Sequence, residues 1–204
     1  MRIISGSARG RRLLSPKNSL IRPTADRVKE SLFNILNVLI AGYDSCRALD
    51  LFAGTGNLGI EALSRGAACA YFIDSHKESV SLVIKNLRML GFTDRGRVIE
   101  SEALSALRSL GKREAPFQLV FVDPPYRQGL SERVLEFLAS SNLIDEYSLV
   151  IVETSSRELL PTAFDNLREF DRRVYGDTAI VFFRRMPEVN PNHKSPIPNP
   201  EKTE

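Results

Sequence analysis

From Cys46 to Glu153 the chain alternates short apolar runs, rich in branched side chains, with amphipathic stretches. A parallel sheet covered by crossover helices reads this way. Strands are expected over residues 47–52, 70–74, 97–101, 118–123 and 148–153, with helices between them over 58–65, 77–90, 103–110 and 131–140. In the second helix Val80, Val83, Ile84, Leu87 and Leu90 recur at the i, i+3, i+4 spacing that turns one face toward a sheet. Beyond a less patterned stretch at 158–167, residues 169–175 and 179–185 flank Gly176-Asp177 as an antiparallel hairpin that closes the sheet. Upstream, residues 2–5 and 11–14 flank Gly6 to Gly10 as a small hairpin. Thr24 then caps a helix that puts Val28, Leu32, Ile35, Leu36 and Leu39 on one face. The expected organisation is a basic hairpin and helix over 1–42, an α/β domain over 43–186 and a disordered tail over 187–204, where five of the eleven prolines lie.

Composition narrows the class. A chain of 204 residues with 43% hydrophobic and 26% charged side chains is globular, not disordered, collagen-like or membrane-spanning. Its net charge of +3 conceals an asymmetry. Residues 1–30 hold Arg2, Arg9, Arg11, Arg12, Lys17, Arg22, Arg27 and Lys29 against Asp26 and Glu30, so this segment is +6 and the remainder −3. A basic arm before an acidic body suits a polyanionic partner, although a solvated surface hairpin would show the same charges. Cys46 and Cys69 lack the spacing of a zinc site or a disulfide framework. The N-terminus reaches Arg2 before any signal-peptide apolar region, and the reading is a cytoplasmic protein with no membrane segment and no metal.

Candidate chemistry begins at Asp50-Leu51-Phe52-Ala53-Gly54-Thr55-Gly56, a GxGxxG turn between the first core strand and a helix. Glycines there let the backbone turn tightly and approach a ligand, though a bare strand-to-helix turn has the same form. Asp74, 20 residues after Gly54, ends the next strand where a carboxylate can accept both ribose hydroxyl hydrogens. Asp50 points to the ligand's charge: a carboxylate aimed into the loop repels a pyrophosphate but suits an ammonium or sulfonium cation. S-adenosylmethionine carries both. Phe52, Ala53, Gly54, Thr55 and Gly56 of the loop, Ser75 beside Asp74, Ala103 beside Glu102, and Asp123 at the end of the fourth strand complete the expected cofactor contacts. Glu102 itself is read either as the adenine contact or as a helix-start carboxylate favoured by the helix dipole.

A second motif, Asp123-Pro124-Pro125-Tyr126, leaves the fourth strand through two prolines that fix φ and leave carbonyls unpaired. The exocyclic amine of a base is a poor nucleophile because its lone pair is delocalised. Acceptors on its hydrogens, Asp123 Oδ and the Pro124 carbonyl, localise that lone pair toward a methyl donor while Tyr126 stacks on the ring. Such a reaction needs no metal and no covalent intermediate.

Together these motifs resemble class I S-adenosylmethionine-dependent amino-methyltransferases. Arg2-Ile3-Ile4-Ser5-Gly6, Gly10-Arg11-Arg12-Leu13, Arg22-Pro23-Thr24-Ala25-Asp26-Arg27-Val28-Lys29-Glu30 and Ser31-Leu32-Phe33-Asn34 narrow the resemblance to the bacterial 16S rRNA guanine-N2 methyltransferases of the RsmD type, over residues 2–185. The resemblance implies a seven-stranded Rossmann-like sheet with helices on both faces and S-adenosylmethionine as donor. It further implies action on N2 of one guanine of 16S rRNA, in the small ribosomal subunit or an assembly intermediate, and the chain is expected to be a monomer. Arg2, Arg9, Arg11, Arg12, Arg22, Thr24 and Arg27 become the expected RNA contacts, and Asp123, Pro124, Pro125 and Tyr126 the catalytic set.

Rival readings explain less. An NAD oxidoreductase leaves Asp50 facing a pyrophosphate and has only His76 and His193 as histidines. A non-catalytic RNA-binding protein has no use for Asp123 and Tyr126. An adenine-N6 methyltransferase shares Asp-Pro-Pro-Tyr, so that motif does not name the base, but a DNA enzyme would need a target-recognition domain for which there is no room. A cytosine-C5 enzyme would need a nucleophilic cysteine at its catalytic motif.

Overall fold

A computed structural model of the chain describes residues 1–16, 23–125 and 129–186, and residues 23–25 by their backbone alone. The elements run α1 (Pro23–Leu39), β1 (Arg47–Leu51), α2 (Asn57–Ser64), β2 (Cys69–Asp74), α3 (Lys77–Leu90), β3 (Gly96–Glu100), α4 (Ala103–Leu110), β4 (Leu119–Val122), α5 (Leu130–Ala139), β5 (Leu149–Ser155), β6 (Ala163–Phe164), β7 (Leu167–Tyr175) and β8 (Thr178–Arg185). They form one eight-stranded sheet in the order β3-β2-β1-β4-β5-β8-β7-β6. Five strands are parallel, and β8, β7 and β6 add antiparallel at one side. The α/β class and the closing hairpin are as expected. The eighth strand is the two-residue β6, which lies in the weakly patterned stretch and is too short to carry a period of two.

Side chains alternate cleanly between the two faces. Ala48, Phe72, Phe121, Ile151 and Phe182 pack with Leu32, Phe33 and Leu36 of α1, Ile60 and Leu63 of α2, and Val83 and Leu87 of α3. Leu49, Val120, Val122, Val150 and Val181 pack on the other face with Leu107 and Leu110 of α4 and Val134 and Leu138 of α5. Continuous apolar strands are what a sheet buried on both faces requires. No described helix is long and apolar enough to cross a membrane.

The N-terminal hairpin is a single bridge between Arg2 and Arg12, extended by Ile3 N–H to the Arg11 carbonyl (2.9 Å). Ile3, Ala8 and Leu13 are buried in the same apolar cluster as α1 and β1. Polar groups of two helices seat it. Glu61 in α2 accepts the N–H groups of Ile4 (2.8 Å) and Ser5 (3.0 Å), and Asn86 in α3 accepts from Leu14 N–H (2.8 Å). Pro23 rather than Thr24 opens α1, a position where its fixed φ and missing N–H cost nothing. Thr24 therefore lies inside the first turn instead of capping it. Arg22, Tyr126, the Thr24 side chain and the 187–204 tail lie outside the described residues.

Candidate active site

Four carboxylates gather at the carboxyl ends of adjacent parallel strands: Asp74 on β2, Asp50 on β1, Asp123 just after β4 and Glu153 on β5. Two of them build the glycine loop. Asp50 Oδ2 accepts the Gly59 N–H at 2.8 Å, and Asp74 Oδ2 accepts the Gly54 N–H at 2.9 Å while its Oδ1 accepts the His76 N–H at 2.8 Å. Gly59 must lack a side chain, because a Cβ there would meet Phe72 Cε1 at 2.5 Å and Asp50 Oδ2 at 3.1 Å. Strand β1 stops at Leu51 because Phe52 turns to φ 62°, a left-handed conformation that is strained for a bulky residue and concentrates at functional sites. Asn86 Nδ2 holds the Thr55 carbonyl at 3.0 Å, which ties the loop to the N-terminal segment through one amide.

Two clefts of about 660 Å³ and about 650 Å³ open along this edge. Each lies within the roughly 300–1,000 Å³ of small-molecule sites. Asp74, Ser75, Glu102, Ala103, Pro124 and Pro125 line the first, and Asp50, Ala53, Gly54, Thr55, Lys29 and Tyr175 line the second. Phe52, Asp123 and Glu153 belong to both. The clefts thus bring together every expected cofactor residue except Gly56, which adopts φ 78° and starts α2. Glu102 stands at the N-cap of α4 without a side-chain capping bond and lines the first cleft.

The electrostatics favour a cationic occupant. Burial pushes Asp50 up to about 7, with Asp74 adding to the rise and the Gly59 N–H opposing it. Asp123 is pushed well above the usual carboxylate range by burial, then by Glu153 and Asp50. Asp123 is nonetheless exposed along the cleft, where a ligand can reach its carboxylate. Burial also raises Glu153. Among the described residues no hydrogen bond reaches either the Asp123 or the Glu153 carboxylate.

Arg2, Arg9, Arg11, Arg12 and Arg27 are solvent-exposed. Arg2 is 3.9 Å from Asp26, and Arg11 Nη2 donates to the Met89 carbonyl at 3.1 Å. Sequence reasoning missed Glu153, Lys29, Glu61 and Asn86. Glu153 was within reach, since the fifth strand is an apolar run followed by an acid like the second and fourth. The other three were not, because their partners lie far away in the chain.

The model of the family described as "Conserved hypothetical protein 95" matches residues 1–184. The chain belongs to this family, the RsmD family. Among RsmD relatives, ribosomal RNA small subunit methyltransferase D of Escherichia coli is 40% identical over 185 residues, covering 91% of this chain and 90% of that protein. The solved structure of the Escherichia coli protein yhhF is 39% identical, with a TM-score of 0.78 over 91% of this chain and 97% of that one. A SAM-dependent methyltransferase from Agrobacterium tumefaciens, 14% identical, has a TM-score of 0.61 over 80% of this chain and 63% of that one, so the RsmD fold is that of class I methyltransferases.

Proposed function

We propose that this protein transfers a methyl group from S-adenosylmethionine to N2 of one guanine in 16S rRNA, acting as a cytoplasmic monomer on the small ribosomal subunit or a precursor of it. The observation that carries the reading is the free Asp123 carboxylate at the junction of two clefts, followed at once by Pro124 and Pro125. Membership of the RsmD family and the name of its Escherichia coli relative supply the rRNA and the small subunit.

The residues present fit the donor. Asp74 and Ser75 face a ribose in the first cleft, with Glu102 and Ala103 at the adenine, while Asp50 and the Phe52–Gly56 loop face the amino-acid end. Asp74 keeps acceptor capacity beyond its two backbone bonds, since a carboxylate has about four lone-pair sites. Bound S-adenosylmethionine supplies a methyl carbon made electrophilic by the adjoining sulfonium. Asp123 and the Pro124 carbonyl accept the two N2 hydrogens and aim the lone pair at that carbon, and Tyr126 stacks on the base. The N–C bond forms as the C–S bond breaks and its electron pair returns to sulfur. Asp123 takes the proton that N2 loses, a task suited to a carboxylate of raised basicity.

The exposed arginines of the N-terminal segment, with Arg22, Thr24 and Arg27, supply phosphate contacts that hold the RNA over the cleft. Mass spectrometry and primer extension of 16S rRNA from a deletion strain, with and without the gene restored, test the reading. One N2-methylguanosine that disappears and returns with the gene is expected; unchanged 16S rRNA would refute it.

A further inference from the structure

We propose that Glu153 selects the base, its carboxylate accepting the N1–H of the guanine whose N2 is held at Asp123. This rests on the methyl-transfer reading above and adds what Asp-Pro-Pro-Tyr leaves open, since that motif serves adenine as well as guanine. The sheet order supplies the geometry. The donor-facing carboxylates Asp74 and Asp50 lie on β2 and β1, Asp123 follows β4, and Glu153 stands on β5, one strand further on. Val122 pairs with Val152, and Asp123 and Glu153 are the next residues on these two adjacent strands, close enough for the Glu153 carboxylate to act on Asp123. Glu153 is therefore on the side of Asp123 away from the donor loop, toward the Thr178 and Ile180 end of β8 that also lines the second cleft.

Chemistry completes the case. Glu153 lines both clefts, and its carboxylate receives no hydrogen bond from any described residue, so its acceptor capacity is unspent. Guanine presents N1–H beside the 2-amino group on one edge. Adenine presents an unprotonated N1 there, whose lone pair an ionised carboxylate repels. An unpaired acceptor next to the methyl-accepting position thus rewards guanine and penalises adenine.

The test uses small subunits reconstituted with 16S rRNA carrying guanine or 2-aminopurine at the mapped position. 2-Aminopurine keeps the 2-amino group but has an unprotonated N1. The wild-type protein is expected to prefer guanine by about 100-fold in kcat/KM. Glu153→Gln, whose amide can donate to N1, should lose about 10–100-fold on guanine and little on 2-aminopurine, so the preference collapses at least about tenfold. Glu153→Asp, which keeps the carboxylate, should retain a preference for guanine. Donor affinity, followed by calorimetry, should stay within about threefold in both variants and reports that they are folded. A guanine preference unchanged in Glu153→Gln overturns the proposal, as does a loss confined to donor affinity. Failure of the wild-type protein to form N2-methylguanosine refutes the methyl-transfer reading itself, and this inference with it.

Discussion

The Lys29 ammonium stands 3.3 Å from the Glu61 carboxylate, and both side chains are closed to solvent. Lys29 also donates to the Arg2 carbonyl (2.6 Å) and to Asn57 Oδ1 (2.7 Å), while Glu61 takes Arg65 Nε (3.0 Å) beside the N–H groups of Ile4 and Ser5. One buried pair thus fastens α1, α2 and the N-terminal hairpin together, and every polar group in it has a partner. Burial holds the Lys29 pKa below its usual value while Glu61 opposes the shift.

Glu61→Ala should therefore be strongly destabilising. It leaves a buried ammonium and two backbone N–H groups without their acceptor, a loss of about 3–5 kcal/mol. At about 2–4 °C per kcal/mol for a chain of this size, the melting temperature should fall by about 6–20 °C. A loss below about 1 kcal/mol in urea unfolding would show that the cluster does not hold the segment in place.

Gly59→Ala tests the close approach of α2 to β1. The added methyl meets the Phe72 ring at 2.5 Å in a packed core, and either the ring or the helix must move. Because Asp50 is bonded to the same residue, its carboxylate moves too. Destabilisation of about 1–3 kcal/mol and an at least tenfold weaker donor affinity are expected. Calorimetry showing unchanged donor affinity would separate Gly59 from the site.

Strands and helices of the α/β core were legible because their apolar runs are local. So were Asp74 and Asp123, which end such runs, and Asp50, which interrupts one just before the glycines. What could not be read is of two kinds. The left-handed turn at Phe52 has no glycine to announce it, and β6 is only two residues long. The buried cluster at Lys29, Glu61 and Asn86 joins residues up to 72 positions apart, and in sequence each is one more polar residue on an amphipathic helix.

Asp50 should make stability fall with pH. Its carboxyl, pushed up from 3.8 to about 7, keeps a proton in the donor-free fold that the unfolded chain releases. Stability then declines as pH rises from about 4 to about 7 and levels above that, by on the order of 4 kcal/mol if Asp50 acts alone. Asp50→Asn keeps an acceptor for Gly59 but removes this titration, so unfolding curves of the two proteins should diverge across that window. Glu153 is present in both, and Asp123 loses only the last and smallest cause of its rise, the neighbouring Asp50 charge, so the divergence is still dominated by Asp50 itself. Parallel curves would show that Asp50 is already ionised. Binding a cationic donor should release protons near pH 7, and less so in Asp50→Asn.

Asp123→Ala separates binding from chemistry. Most of the donor's adenine, ribose and amino-acid contacts are assigned to other residues, so its binding should remain measurable, within about tenfold of the wild-type protein. Methyl transfer to small subunits should fall by about 100–1,000-fold, the usual effect of removing one group that stabilises charge at the reacting atom. Full activity would remove Asp123 from the reaction.

The RNA contacts call for substitution rather than truncation. Deleting the N-terminal segment would strip Ile3 and Leu13 from the core and leave Glu61 without its backbone donors, so lost binding would report lost structure. Arg9 and Arg12 are exposed and, among the described residues, carry no hydrogen bond or ion pair from their side chains, so Arg9→Gln with Arg12→Gln removes charge alone. Each phosphate contact contributes roughly 0.7–0.9 to the slope of log affinity against log salt. If both arginines meet phosphates, the slope for small-subunit binding should become shallower by roughly 1.5, with donor affinity and melting temperature unchanged. A slope equal to that of the wild-type protein would place the RNA elsewhere on the surface.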